Sequence, residues 1–260
     1  MTTRSRASFS CSGLTVSVPG RILVEDLNLS LNAGDFIAVL GQNGTGKSLT
    51  LQTLAGLRDV EKGEVCIADV SITGMSRQDV ARRLALLPQY VDDVFPATVF
   101  DTVLIGRHPH IGRFRWESDA DRRFALHALK QVDLADMASR DIDTLSGGER
   151  RRLAIAQVLA QEPEIFLLDE PTNHLDPQHQ LDVLGLFRRK TQDGAVVVAA
   201  LHDVNLAARY ADQCLLLSGD GDWRLGDTGS VLNSEILSAL YATGMEAVRW
   251  RDRDLFVAVR

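Results

Sequence analysis

The segment Gly41-Gln42-Asn43-Gly44-Thr45-Gly46-Lys47-Ser48 follows the pattern Gly, four residues, Gly-Lys, then Ser or Thr. Glycines at 41, 44 and 46 let the backbone curl so that its N–H groups surround phosphate oxygens, and Lys47 adds a full positive charge. Ser48 supplies a hydroxyl suited to Mg²⁺. Two carboxylates, Asp169 and Glu170, follow the apolar run Ile165-Phe166-Leu167-Leu168, at a strand exit of the kind where α/β proteins gather their ligands. Asp169 suits a hydrated divalent cation. Glu170 precedes Pro171, which predicts an extended backbone that points its carboxylate at a phosphate as general base for water. A second anion-seeking helix start is written into Leu145-Ser146-Gly147-Gly148-Glu149, although Ser146 alone would equally mark the cap of a core helix.

These groups need elements to hold them. Residues 36–40 form a short apolar run entering the glycine-rich loop, and Leu51, Leu54 and Leu57 then recur near helical spacing, which predicts strand, loop, helix. Residues 165–168 and 195–201 are continuous apolar runs of the kind that parallel strands buried on both faces require. Together they predict a doubly wound α/β core. Between Gln78 and Gln161 the pattern turns helical, with one helix opened by Thr98 or Asp101 and another beginning near Ser118 and carrying Phe124, Ala128 and Val132. The helix after Ser146 has Leu153, Ala156 and Leu159 or Ala160 as its apolar stripe, and Arg150-Arg151-Arg152 is expected on its solvated face. Near the end, Asn233 or Ser234 is expected to cap a short helix closed by Gly244, followed by a hairpin of residues 247–250 with 255–259.

Composition narrows the classes. With 45% hydrophobic and 24% charged residues over 260 positions, the chain can bury a large core without staples. Its apolar runs are strand-sized, whereas a membrane-spanning helix needs about 20 residues. Arg4 and Arg6 are followed by no apolar stretch, so no secretory signal is expected. The three cysteines are far apart and unpaired in spacing, which argues against a disulfide framework or zinc site. A net charge of −7 argues against nonspecific nucleic-acid binding. His108 and His110 flank a proline without further ligands nearby, so they are expected to be solvated or interface residues.

Taken in order, the loop 41–48, Gln89, residues 145–149, residues 165–170, Asn173-His174-Leu175-Asp176 and His202 resemble the nucleotide-binding subunit of ABC transporters over nearly the whole chain. The resemblance implies one ABC domain over 1–260. It would comprise a P-loop NTPase (RecA-like) core from 1–88 and 162–260, with an N-terminal antiparallel β part, and a helical lobe inserted at 89–161. It further implies that residues Gly41 to Ser48, with Leu49, hold ATP and Mg²⁺, the metal on Ser48, Gln89 and Asp169. Glu170, His202, Gln89 and Lys47 would then serve hydrolysis. Two copies would pair head to tail, with Ser146, Gly147 and Gly148 of one closing on ATP held by Lys47 of the other, and Asp176 communicating across the interface. The family usually places an aromatic residue against adenine, where this chain has Val18.

The stretch from Thr98 to His110 and the compact tail resemble subunits serving importers of iron-siderophores, haem and cobalamin. The implied partners are membrane permease subunits, a second copy and, indirectly, a substrate-binding protein, with the chain on the cytoplasmic face of the membrane and no nucleic acid. Other ABC importers or exporters share the same ATP chemistry and stay open at this point. Soluble ABC ATPases acting on DNA or ribosomes are a further class, but those normally carry long coiled coils or two cassettes, and this chain has neither.

Overall fold

The computed structural model describes residues 8–90, 96–112, 115–251 and 253–259; Arg4 and Arg6 lie outside them. An antiparallel sheet is begun by β1 (Ser8–Val18) and β2 (Arg21–Asn32). Strand β3 (Phe36–Leu40) then runs into the glycine-rich loop and helix α1 (Lys47–Leu54). Strands β4 (Lys62–Ile67) and β5 (Val70–Ser71) complete the antiparallel sheet in the order β2-β1-β4-β5. Helix α2 (Arg77–Arg83) leads to β6 (Leu84–Leu87), which rejoins the central sheet. Among the described residues three α-helices follow: α3 (Val99–Ile105), α4 (Asp119–Gln131) and α5 (Gly147–Ala160). The chain returns through β7 (Ile165–Asp169), α6 (Pro177–Gln192), β8 (Val196–Ala200), α7 (Val204–Tyr210) and β9 (Gln213–Leu217). It ends with β10 (Trp223–Asp227), α8 (Thr228–Val231), α9 (Ser234–Tyr241) and the hairpin β11 (Gly244–Trp250) with β12 (Arg253–Val259).

The central sheet has the order β10-β9-β3-β8-β7-β6, parallel except for β10. Its strands are apolar on both faces because each face has its own cover. Phe36, Ala38 and Leu40 of β3, with Phe166 and Leu168 of β7, face a core shared with α3 to α7. Ile37, Val39, Ile165 and Leu167 face the opposite core, shared with α1 and the antiparallel sheet. Period-two alternation therefore sorts one continuous run into two interiors. Phe166 and Phe187 meet edge to face at 5.4 Å between centroids, fixing α6 on the sheet.

Local signals set the helix ends. The Thr98 hydroxyl accepts the Asp101 N–H, and Ser118 and Asp121 form a reciprocal capping box at α4. The expected α9 is capped by Asn233, but it ends one step past Tyr241 at Ala242 (φ 50°), and Gly244 instead starts β11. Leu57 likewise falls beyond α1 and is 62% exposed. Among the described residues no helix is long and apolar enough to cross a membrane, and no three or more His, Cys, Asp or Glu side chains cluster as a metal site. His110 Nε2 donates to the Gln161 carbonyl (2.8 Å).

One buried arginine ties the three middle helices together. Arg107, at the end of α3, is 5% exposed; its Nε donates to Asp121 of α4 at 3.1 Å, and its Nη1 donates to the Ala160 carbonyl ending α5 at 2.8 Å. Its guanidinium also lies 4.3 Å from the Phe124 ring centroid. The Ser118 cap, with Arg107, holds the Asp121 carboxyl down at about 2. Arg107→Leu leaves the half-buried Asp121 without its cation and should cost about 2–3 kcal/mol, measured by urea unfolding at neutral pH. Because the carboxylate form carries the stabilisation, the wild-type advantage should shrink as pH falls from the ordinary 3.8 toward about 2.

Candidate active site

The glycine-rich loop leaves β3 through a turn that a side chain would block. Gly41 has φ 154°, and a Cβ there would lie 2.5 Å from the Leu217 carbonyl and 2.7 Å from Thr45 Oγ1. Gly46, at φ 101°, caps α1. The first turn of the helix thus points its free N–H groups back into the loop. Lys47 is 6% exposed, and its Nζ donates to the carbonyls of Gly41 (2.8 Å) and Gln42 (3.0 Å). Burial pushes its pKa down, while Glu170 and Asp169 push it back up. Thr45 Oγ1 closes the loop on the Gln42 carbonyl at 2.9 Å, and the Gln42 side chain donates to the Leu240 carbonyl at the end of α9, also at 2.9 Å. Asn43 and Gly44 are exposed at the rim.

Beside this loop stand the carboxylates. In the parallel register Asp169 is opposite Ala200 and Leu168 is opposite Leu87, so the ends of β6, β7 and β8 lie side by side. Asp169 is 3% exposed, and its Oδ1 has no hydrogen-bond partner. Burial pushes its carboxyl up, and the Ser48 hydroxyl supports the charged form. Glu170 Oε1 lies 2.6 Å from His202 Nε2, and Oε2 accepts from Asn173 Nδ2 at 3.3 Å. The backbone at Glu170 is not extended, contrary to the expectation from Pro171. It takes φ 51°, in the left-handed region, while its N–H still donates to the Ala200 carbonyl at 3.1 Å. The ladder thus ends at Asp169 and the chain turns sharply, a conformation that costs a bulky residue about 1–3 kcal/mol and persists only where neighbours enforce it.

Val18, Lys47, Ser48, Leu49, Gln89 and Glu170 line one cavity of ≈ 410 Å³ with the loop glycines 44 and 46. Asn43 also lines it, so half of the expected site residues share this cavity, with His202 against Glu170. Arg21 lines the same cavity, held by two hydrogen bonds from Nε and Nη2 to the Gly219 carbonyl. Its sequence context, a hairpin strand, carried no sign of this. Ser146, Gly147 and Gly148 do not line the cavity. Ser146 forms a capping box with Glu149, and Ser146 and Gly147 are exposed, so the start of α5 presents its N–H groups outward. Gly148 packs beneath the His174 carbonyl. Asp176 also lies apart: it caps α6, accepting the His179 N–H at 2.9 Å and pairing with His179 Nδ1 at 2.8 Å.

The arginine triplet is not uniformly solvated. Arg151 is 6% exposed, and its guanidinium donates to the carbonyls of Pro88 (2.7 Å), Gln89 (3.3 Å), Asp169 and Glu170 (2.8 Å). Burial lowers its pKa to about 10, opposed by the charges of Asp169 and Glu170. A helical side chain is solvated or buried according to what packs on its face, and here the ends of β6 and β7 do.

The arrangement has an anion cradle, a buried carboxylate oxygen free for a cation, and a carboxylate–histidine pair at the cavity wall. Such a set suits binding and hydrolysis of a nucleoside polyphosphate. A family model described as ABC transporter matches residues 24–173. The iron(3+)-hydroxamate import ATP-binding protein FhuC of Bacillus subtilis is 36% identical over 242 residues, 93% of this chain and 90% of that protein. The hemin import ATP-binding protein HmuV of Thermobifida fusca is 37% identical over 240 residues, covering 90% of this chain and 82% of that protein. Among solved structures, a metal-chelate type ABC transporter in an inward-facing conformation matches over 98% of both chains, with 32% identity and a TM-score of 0.85. With the phosphate loop, the paired carboxylates and the outward-facing start of α5 on one α/β core, these likenesses establish that the chain belongs to the ABC transporter family, as an ATP-binding subunit and ATPase.

Proposed function

We propose that this subunit energises import of an iron-siderophore, haem or cobalamin complex through separate permease subunits, working as a head-to-tail pair with a second copy. The observation that carries the pairing is the separation of the two anion sites: Lys47 and Glu170 line the cavity, while Ser146, Gly147 and Gly148 do not. Each chain then holds two half-sites, and a second copy completes both. The substrate class rests on the likeness to FhuC and HmuV and on the segments 98–110 and 229–250. The chain would sit on the cytoplasmic face of the membrane, held by its permease, with a substrate-binding protein on the far side. Residues 1–88 and 162–260 would act as the core and 89–161 as the lobe that carries the signature helix.

Within each site, Lys47 and the backbone N–H groups of residues 41–48 would hold the phosphates. The donor set fits Mg²⁺: a buried carboxylate oxygen without a partner on Asp169, with the Ser48 hydroxyl beside it and Gln89 on the same cavity. Bound there, the ion would neutralise charge on the phosphate oxygens. Glu170 would take the proton of the attacking water, and His202, hydrogen-bonded to it, would steady the carboxylate and reach the terminal phosphate. Asp176 would signal between the copies from the start of α6. A groove of ≈ 660 Å³ lined by Leu57, Arg58, Ile72, Met75, Val80 and Leu86 lies on the strand that leads to Gln89 and offers the permease a seat.

Lys47→Ala removes the cation from the cradle and should weaken ATP binding about 10- to 100-fold, measured by equilibrium titration. Glu170→Gln should still bind ATP and accumulate as a closed dimer in size-exclusion chromatography, with kcat reduced about 10²–10⁴-fold; full activity would remove Glu170 as base. With Val18 in place of an aromatic ring, a base stack worth about 1–3 kcal/mol is missing. GTP should therefore be hydrolysed with a kcat/KM within about tenfold of that for ATP, and a far lower value would show that the base is read elsewhere.

A further inference from the structure

Arg151 is costly where it stands. It is 6% exposed, and among the described residues its Nε finds no hydrogen-bond partner. Burying the charge costs desolvation that Asp169 and Glu170 only partly offset, and the two carboxylates do not by themselves dictate where the guanidinium's hydrogen bonds go. What the guanidinium touches is specific. Nη1 reaches the Pro88 and Gln89 carbonyls just past β6, and Nη2 reaches the Asp169 and Glu170 carbonyls at the end of β7. These strands are neighbours, paired up to Leu87 with Leu168. The ladder between them ends at that pair, and the planar fork joins the two strand ends just beyond it.

We propose that Arg151 is a positioning residue that sets Gln89 and Glu170 in mutual register, and that through α5 it links this register to the Ser146–Gly148 half-site. This rests on the reading of Gln89 and Glu170 as hydrolytic residues and of Ser146 to Gly148 as a clamp on the second copy's ATP. The link is short: Arg151 is on the second turn of the helix whose first residues are Gly147 and Gly148. Pressure on the start of α5 when the second copy's nucleotide is engaged bears on the helix that holds both carbonyl pairs. Glu170 also needs such a hold, because its left-handed φ of 51° persists only when its neighbours enforce it. A lysine at this position keeps the charge but has no fork to span two strands.

The test uses the full-length chain with Arg151→Met and Arg151→Lys. Equilibrium ATP binding, kcat and KM are measured, and kcat is normalised to the bound nucleotide. Both variants should bind ATP within about threefold of wild type, since the phosphate cradle is untouched, while kcat falls at least about tenfold in Met and less in Lys. Should the methionine variant not fold, the lysine variant alone should still show the split of reduced kcat with retained affinity. Combined with Ser146→Ala, the losses in kcat should fall short of multiplying, because the two side chains act through one helix. Unchanged kcat per bound ATP, or affinity and kcat lost together in both variants, would overturn the positioning role. Fully multiplicative losses would overturn the link between the half-sites. A wild-type chain that binds ATP without hydrolysing it would overturn the underlying reading, and this proposal with it.

Discussion

The parallel hydrogen-bond ladder of the central sheet is the constraint on which the rest depends. Val39 pairs with Ala200, Asp169 with Ala200 and Leu87 with Leu168, so four strands stop along one line. Each of these strands runs into a segment of the proposed site: β3 into the glycine-rich loop, β6 toward Gln89, β7 into Glu170 and β8 toward His202. A slip of one residue in any strand would swap its two interiors as well as displace its segment. Packing of the two cores and geometry of the site are therefore enforced by the same ladder.

Ionic groups gather where that ladder ends. Lys47, Arg151, Asp169 and Glu170 are all buried, and two cations face two carboxylates. Burial pushes Lys47, Arg151 and Asp169 toward their neutral forms, and the opposite charges counter this: Asp169 and Glu170 raise the pKa of both Lys47 and Arg151. The group is stable as a set, since removing one member strands the charge of another. It leaves Asp169 Oδ1 without a hydrogen-bond partner, the observation on which the proposed Mg²⁺ seat rests.

The start of α5 has a different character. Its capping box consumes the Ser146 hydroxyl on the Glu149 N–H, while Gly147 and Gly148 add no side chain that would cover the free N–H groups of the first turn. Gly148 sits under the His174 carbonyl, so the loop from β7 to α6 supports this helix from below. Arg151, one turn further on, fastens the same helix to the strand ends. The helix is thereby held at the strand ends of its own chain while its first turn is exposed.

Local pattern was enough to determine much of this protein. Continuous apolar runs marked β3, β7 and β8, because strands buried on both faces need them; Thr98, Ser118 and Asn233 marked helix starts, because capping involves only neighbouring residues. The phosphate loop was legible for the same reason, since its chemistry lies in eight consecutive residues. The tertiary structure alone decided the burial of Arg151, the left-handed turn at Glu170 and the presence of Arg21 on the cavity, whereas the capping use of Asp176 on His179 is as local as the other caps. The first three depend on what a distant segment brings to the residue: the ends of β6 and β7 for Arg151, the Ala200 carbonyl and Arg151 for Glu170, the Gly219 carbonyl for Arg21. Periodicity reports which face of an element is apolar, but the exposure of a charged side chain is set by the surface packed against it, and that is a property of the assembled fold.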